Sequence, residues 1–195
     1  MEEINYWVFE CPRGWISVLG SSRGLLRLSF PCPTPSGALS RIRDAVKSGA
    51  AENPGRFQDL AHRLDDYFLG RRAFFPDPLD LSGATPFQRE VWEAARQIRG
   101  GETRSYGWLA EKLGRRGGAR AVGQALGKNP LPIIVPCHRV IGSRGDLCGF
   151  SAGLGWKEEL LRLEAAAVPS HSTNDKQEMP LRAGAGAGKT ISPGR

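Results

Sequence analysis

Over the first 30 residues apolar and polar positions fall into short β-branched or aromatic runs, Tyr6 to Glu10, Trp15 to Gly20 and Leu25 to Phe30. Between them stand Pro12-Arg13-Gly14 and Ser21-Ser22-Arg23-Gly24, which are turn chemistry, so the stretch predicts a meander of three strands. The period then changes. Phe57, Leu60, Ala61, Leu64, Tyr67 and Phe68 fall three and four apart and predict one amphipathic helix that stops at Gly70. A less regular helix is expected from Ser36 to Lys47. Phe74 to Leu81 carries Pro76 and Pro78, and proline cannot donate to a ladder, so it reads as an extended connector or edge strand at a domain boundary.

Thr85-Pro86 with Gln88 three residues after the threonine predicts a capped helix whose buried face is Val91, Trp92, Ala95 and Ile98. A second helix is expected from about Tyr106 to Leu113 and a third from about Ala119 to Gly127, with Gly114 to Gly118 as the turn. This is helix-turn-helix spacing. On the third helix Ala119, Val122, Ala125 and Leu126 form a core stripe, whereas Arg120, Gly123, Gln124 and Gly127 share the other face. Glycine inside a helix costs about 0.5–1 kcal/mol relative to alanine; close approach to a partner backbone is one reason to keep two there, and a tolerated structural glycine is the other. Ile133-Ile134-Val135, bounded by Pro130, Pro132 and Pro136, predicts a rigid turn at residue 137. Gly142 to Gly155 reads as a glycine-rich loop bordering a pocket, and a last helix runs from Trp156 to Ala167. From Val168 the apolar period ends and Ala183 to Gly188 is low in complexity, which predicts a disordered tail.

The organisation expected from these patterns is an α/β chain of 195 residues: a domain over 1–80, a second over 81–167 and a tail over 168–195. Charge sharpens the division. The net charge is +7, yet residues 1–80 balance 10 basic against 10 acidic side chains, while residues 81–164 hold 13 basic and 8 acidic. Between Glu111 and Asp146 stand Lys112, Arg115, Arg116, Arg120, Lys128, Arg139 and Arg144 with no acidic residue. Either a polyanion partners this stretch or it is a solvated basic face. Cys11, Cys32, Cys137 and Cys148 show no paired spacing, and Met1-Glu2-Glu3 is acidic where a secretory leader would be basic. No apolar run approaches 18 residues. The expectation is a cytoplasmic protein with free thiols and no membrane partner.

Pro136-Cys137-His138-Arg139-Val140 carries the chemistry. A thiolate is the reactive form of cysteine, and an adjacent imidazole that takes the proton, directly or through a water, activates it. Two neighbouring residues alone more often describe a buried core pair.

Five motifs in order settle the wider context: Thr85-Pro-Phe-Gln-Arg-Glu-Val-Trp92, Glu102-Thr-Arg-Ser-Tyr-Gly107, Ala119-Arg-Ala-Val-Gly-Gln-Ala125, Asn129-Pro130 with Pro136-Cys-His-Arg-Val140, and Lys157-Glu-Glu-Leu-Leu-Arg-Leu-Glu164. Over some 80 contiguous residues this closely resembles the O6-alkylguanine-DNA alkyltransferases, also called methylated-DNA–protein-cysteine methyltransferases. The resemblance implies a ribonuclease-H-like N-terminal domain with a small antiparallel sheet and helices, and a helical, winged-helix-like C-terminal domain. It implies a single-turnover transferase that moves the alkyl group of O6-alkylguanine, and of O4-alkylthymine, from duplex DNA to its own Cys137 after the base is flipped out.

By the same resemblance His138 is the base, Glu164 orients it, Asn129 ties the turn to the active-site turn, and Tyr106 protonates the departing guanine. Val140, Phe150 and Ser151 line the base pocket. Arg120 fills the vacated stack from a helix laid in the minor groove, with Ser105, Arg115, Gly123, Gln124 and Lys128 on the DNA side. The implied protein is a monomer without cofactor. Phe150 departs from the tyrosine common in the family. Some members hold a structural zinc in the N-terminal domain, but Cys11, Cys32 and His62 do not reproduce that ligand set, so no metal is expected. Cys148 has no family role and is expected to be a buried loop thiol. The competing readings are a lesion-flagging relative lacking the cysteine, which Cys137 opposes, a plain helix-turn-helix regulator, which needs no Cys-His-Glu set, and a hydrolytic cysteine enzyme, which needs an oxyanion hole.

Overall fold

A computed structural model describes residues 3–167, so the tail expected to be disordered lies outside the described residues. The three predicted strands are β1 (Asn5–Cys11), β2 (Gly14–Ser21) and β3 (Gly24–Leu28), paired antiparallel in the order expected of a meander. Gly24 is required at its turn: its φ is +145°, and a Cβ there would lie 2.3 Å from the carbonyl oxygen of Pro78. That close approach lets the connector lie along β3, with Leu25 N–H donating to Pro78 O and Asp80 N–H to Leu25 O. The connector makes a single bridge, Leu25 to Leu79, rather than a full edge strand, consistent with its two prolines.

The helix expected over 36–47 is broken into α1 (Pro35–Ser40), capped by Thr34, and α2 (Arg43–Lys47). Ile42 leaves the helical conformation at φ −123° and is buried, as is Ala38 one turn before it. The short β4 (Ala51–Glu52) adds to β1 in parallel, so the sheet is antiparallel except for this exposed edge. Two exposed residues carry no periodic signal for it. Helix α3 (Pro54–Phe68) begins one turn earlier than its apolar stripe, at an Asn53 cap, and buries all six predicted stripe residues.

In the second half, α4 (Pro86–Arg96) has the capping box in full: Gln88 N–H donates to Thr85 Oγ1 and Thr85 N–H to Gln88 Oε1. A two-residue strand β5 (Arg104–Ser105) leads into α5 (Tyr106–Lys112), and α6 (Ala119–Gly127) follows the glycine turn. Val122, Ala125 and Leu126 are buried as expected, whereas Ala119 at the first turn is only half-buried. Trp92 Nε1 donates to Ala125 O and locks α4 to α6. The chain then forms a 3-10 turn, Cys137–Arg139, a second short strand β6 (Val140–Ile141) and α7 (Leu154–Ala167).

β5 and β6 pair in parallel, Arg104 with Val140 and Ser105 with Ile141. This pair fixes the start of α5 against the residues that follow Cys137. One continuous apolar cluster runs from Phe9 and Leu64 through Trp92 and Val122 to Leu160, so the two halves share a core. Leu28 N–H also donates to Pro130 O across the junction.

Candidate active site

Proline-rich geometry presents Cys137. Pro130, Pro132 and Pro136 stiffen the approach, Ile133 holds a φ of +73°, a costly value for a β-branched residue, and Cys137 opens the 3-10 turn with its thiol buried at 7 % exposure. Asn129 knits this segment: its Nδ2 donates to Val135 O at 2.9 Å and to Cys137 Sγ at 3.2 Å, and its Oδ1 accepts from Leu131 N–H at 2.9 Å. Burial raises the thiol above its ordinary value, and the donors that oppose this are Asn129 and the charge of Lys157.

His138 is fully buried, with Nε2 2.7 Å from Glu164 Oε1. Glu164 would be pushed up by burial, but hydrogen bonds from His138 and Arg139 hold it well below the usual carboxylate range. An ionised carboxylate at that distance requires the proton on Nε2, leaving Nδ1 as a lone pair. Nδ1 has no protein partner and is shut off from solvent, and burial keeps the imidazole below its ordinary value. The ring is therefore a neutral base with its acceptor nitrogen free.

Three residues absent from the expected set complete the cluster. Arg139 clamps Glu164 from its Nε and Nη2, both at 2.8 Å, and donates Nη1 to Ile98 O. Tyr67 of α3 donates its hydroxyl to Glu164 Oε1 at 2.9 Å. Lys157 is fully buried, and its ammonium spends three donors on Val140 O at 2.7 Å, Leu147 O at 2.5 Å and Tyr106 Oη at 3.4 Å. Burial draws its ammonium below the usual lysine range. Arg139 and Lys157 lie within two of the five motifs, where a long charged side chain carries no sign of the buried partner it meets; Tyr67 read as an ordinary stripe residue.

A cleft of about 470 Å³ opens in front of Cys137, walled by Tyr106, Arg120, Gly123, Gln124, Cys148, Phe150 and Ser151 among others. That volume suits one small planar ligand. Tyr106 is half-buried on its wall, and burial, with the nearby Cys148 and Cys137, pushes its phenol up to about 12. Gly123 faces it: a Cβ there would sit 3.6 Å from the tyrosine ring, so the position is close but not forbidding. Val140 is buried and offers its carbonyl, one lone pair of which Lys157 already takes, while Phe150 is half-buried over Lys157 and Ser151 is exposed.

Arg120, Gln124, Arg115 and Lys128 all project from exposed positions on or beside α6. Arg115 lies 5.5 Å over Phe87 and 3.9 Å from Glu90. Ser105 caps α5, its Oγ accepting from Trp108 N–H. Cys148 corrects an expectation. It is exposed, not buried: the loop takes a φ of +54° there, and the thiol, on the cleft wall, donates to Asp146 Oδ2 at 2.9 Å. In the N-terminal half Cys11 and Cys32 are buried and His62 is exposed on α3. Among the described residues no helix is long and apolar enough to cross a membrane.

A helix-turn-helix bearing a buried thiol, an imidazole and a carboxylate beneath a base-sized cleft defines a protein-cysteine group acceptor built on a DNA-binding module. The comparisons with known proteins make this specific. Residues 4–81 match the family described as 6-O-methylguanine DNA methyltransferase, ribonuclease-like domain, and residues 86–166 match its DNA binding domain. The chain is 41% identical over 170 residues, 87% of its length and 98% of the relative's, to a methylated-DNA–protein-cysteine methyltransferase of Mycolicibacterium paratuberculosis. It is 52% identical over 115 residues to that of Salmonella typhimurium, covering 59% of this chain and 66% of that one. A crystal structure of Mycobacterium tuberculosis OGT in complex with DNA superposes with a TM-score of 0.71 at 38% identity, over 85% of this chain and 96% of that one. The chain belongs to the methylated-DNA–protein-cysteine methyltransferases and shares their two-domain fold.

Proposed function

We propose that Cys137 is the alkyl acceptor and that the chain repairs O6-alkylguanine, and O4-alkylthymine, in duplex DNA by a single direct transfer. The observation that carries this reading is the orphaned Nδ1 of a neutral, fully buried His138 beside a buried Cys137 thiol. One water bridging Sγ–H to Nδ1 completes a proton path, and a buried polar nitrogen without a partner is where such a water is held. Sγ attacks the alkyl carbon and a thioether bond forms. The carbon–O6 bond breaks with its electron pair going to the purine, and the Cys137 proton ends on His138, whose positive charge Glu164 stabilises. Tyr106 supplies a proton to the departing guanine, and the Lys157 ammonium beside its oxygen tempers the charge left on it. Asn129 holds Sγ in place and donates to it as charge develops.

DNA is the partner, a reading supported by the similar M. tuberculosis protein having been crystallised in complex with DNA, and α6 is the element that enters its groove. Arg120 enters the stack that the flipped base leaves, Gly123 and Gln124 approach the groove, and Ser105, Arg115 and Lys128 contact the backbone. Val140, Phe150 and Ser151 border the base. The units are residues 1–80 and 81–167, acting as a monomer in a reducing cytoplasm where the thiol survives. The test is the intact mass of the protein after incubation with duplex DNA carrying O6-methylguanine. A gain of one methyl group, confined to the peptide containing Cys137 and abolished by Cys137→Ala with DNA binding retained, is expected. Multiple turnovers per molecule, or label on Cys148, overturn the reading.

A further inference from the structure

We infer that Tyr67, supplied by the domain that lacks Cys137, is a positioning residue for alkyl transfer: by donating its hydroxyl to Glu164 it fixes the orientation and tautomer of His138. The inference rests on the reading of Cys137 as acceptor and His138 as its base.

Tyr67 sits at the C-terminal end of α3, buried at 5 % exposure, with its ring held edge-on by Phe68 and Phe75. Its hydroxyl meets two atoms of the site, Glu164 Oε1 at 2.9 Å and His138 Nε2 at 3.4 Å. Nε2 already spends its proton on Oε1, so the phenol has no acceptor but the carboxylate, and it donates there. Oε1 thus collects three donors, Tyr67 Oη, His138 Nε2 and Arg139 Nη2, while Oε2 takes Arg139 Nε and the Gly101 N–H at 3.3 Å.

The groups facing His138 are these: Glu164 and Lys157 from α7, Arg139 and Cys137 from its own turn, and Tyr67 from α3. Arg139 and Lys157 disfavour the imidazolium and Glu164 favours it. Tyr67 moderates Glu164 by sharing its charge. Its hydroxyl also stands 3.4 Å from Nε2, against the fully buried ring. An N-terminal domain that otherwise offers no residue to the cleft contributes the last donor of the relay.

The experiment is the rate at which the full chain takes up benzyl mass from free O6-benzylguanine, measured against pH, for three proteins: wild type, Tyr67→Phe, and a protein with 3-fluorotyrosine at position 67. Free base removes DNA binding and flipping from the measurement. Losing the donor leaves more charge on Oε1 and stabilises the imidazolium, so Tyr67→Phe should move the acid limb up by about half a pH unit to one unit, and the loss of the bond that orients Glu164 and His138 should slow transfer at neutral pH about threefold to tenfold. The fluorinated phenol, a stronger donor in the same packing, should move the limb the other way, and it carries the test by itself if Tyr67→Phe does not fold. A limb unmoved in the folded variant, with benzyl on Cys137, removes Tyr67 from the mechanism and leaves Cys137 as acceptor. No benzyl on Cys137 in the wild type overturns both.

Discussion

Replacing Asn129 with alanine should damage stability and reactivity together, because one side chain serves both. Leu131 N–H, now 2.9 Å from Oδ1, loses its partner in the core, while Val135 O, now 2.9 Å from Nδ2, keeps only the Cys137 N–H at 2.8 Å. An orphaned buried group costs about 1–3 kcal/mol, and water entering the space vacated by the amide returns part of this, so the net loss should be about 1–2 kcal/mol. For a chain of this size that is a fall in melting temperature on the order of 2–8 °C. The third lost bond, Nδ2 to Sγ at 3.2 Å, lowers the thiol's pKa against burial. A hydrogen bond to a charged acceptor is worth about 1.5 kcal/mol at the low end, or about tenfold in thiolate fraction and hence in transfer rate. Asn129→Asp is the decisive companion. It keeps the acceptor for Leu131 N–H, yet sets a negative charge against Sγ, so it should be more stable than the alanine variant and slower. Thermal melts and single-turnover mass measurements read both. Transfer in Asn129→Asp as fast as in wild type would refute the assignment of Asn129 as a donor to the thiolate.

Arg120→Ala should slow repair in duplex DNA far more than reaction with free O6-benzylguanine, since filling a vacated stack matters only when a base is flipped; equal losses on both substrates contradict that role. Affinity for undamaged duplex should fall steeply with salt, and replacing Arg115 and Arg116 together by alanine should flatten the log–log slope by about 1–2; an unchanged slope places them off the backbone. Acid should weaken the fold. His138 is held below its ordinary 6.5 by burial, so the unfolded state takes up its proton first and stability falls as pH drops below that value. Glu164, held below 4.5 by its His138 and Arg139 bonds against burial, keeps its contribution above that value and loses it further down. Denaturant titrations should find the protein less stable near pH 5 than at pH 7, and the transfer rate should hold until below the ordinary imidazole range. Equal stability at both pH values would contradict the burial of a neutral His138.

The sequence by itself determined what is local. Residues that sit next to one another in the chain must sit near one another in space, so Cys137-His138 between prolines already specified a presented thiol with an imidazole beside it. The Thr85-Gln88 box and the glycine turn between α5 and α6 are short-range as well: capping bonds and φ > 0 turns are made within four residues of their signal. The stripe on α3 located its buried face in the same way.

Tertiary structure alone decided which buried residues carry chemistry. Tyr67 follows the same three-and-four spacing as Leu60 and Leu64, and nothing in that period distinguishes a hydroxyl aimed at a carboxylate 97 residues away. Arg139 stood in a basic stretch that left a polyanion partner and a solvated face both open, and Lys157 in a helix motif that named no partner for it. The fold buries Lys157 fully and Arg139 in part, their donors meeting carbonyls, a phenol and Glu164. Cys148 went the other way, exposed on the cleft wall in a loop whose glycines left its direction open. The pairing of β5 with β6 ties the start of α5, where Tyr106 stands, to the residues after Cys137 by joining Arg104 to Val140, residues too far apart and too few to leave a pattern. Hydrophobic period records only that a position is inside. The partner that a polar group meets there depends on how separate elements converge, and that is settled by packing across the shared core.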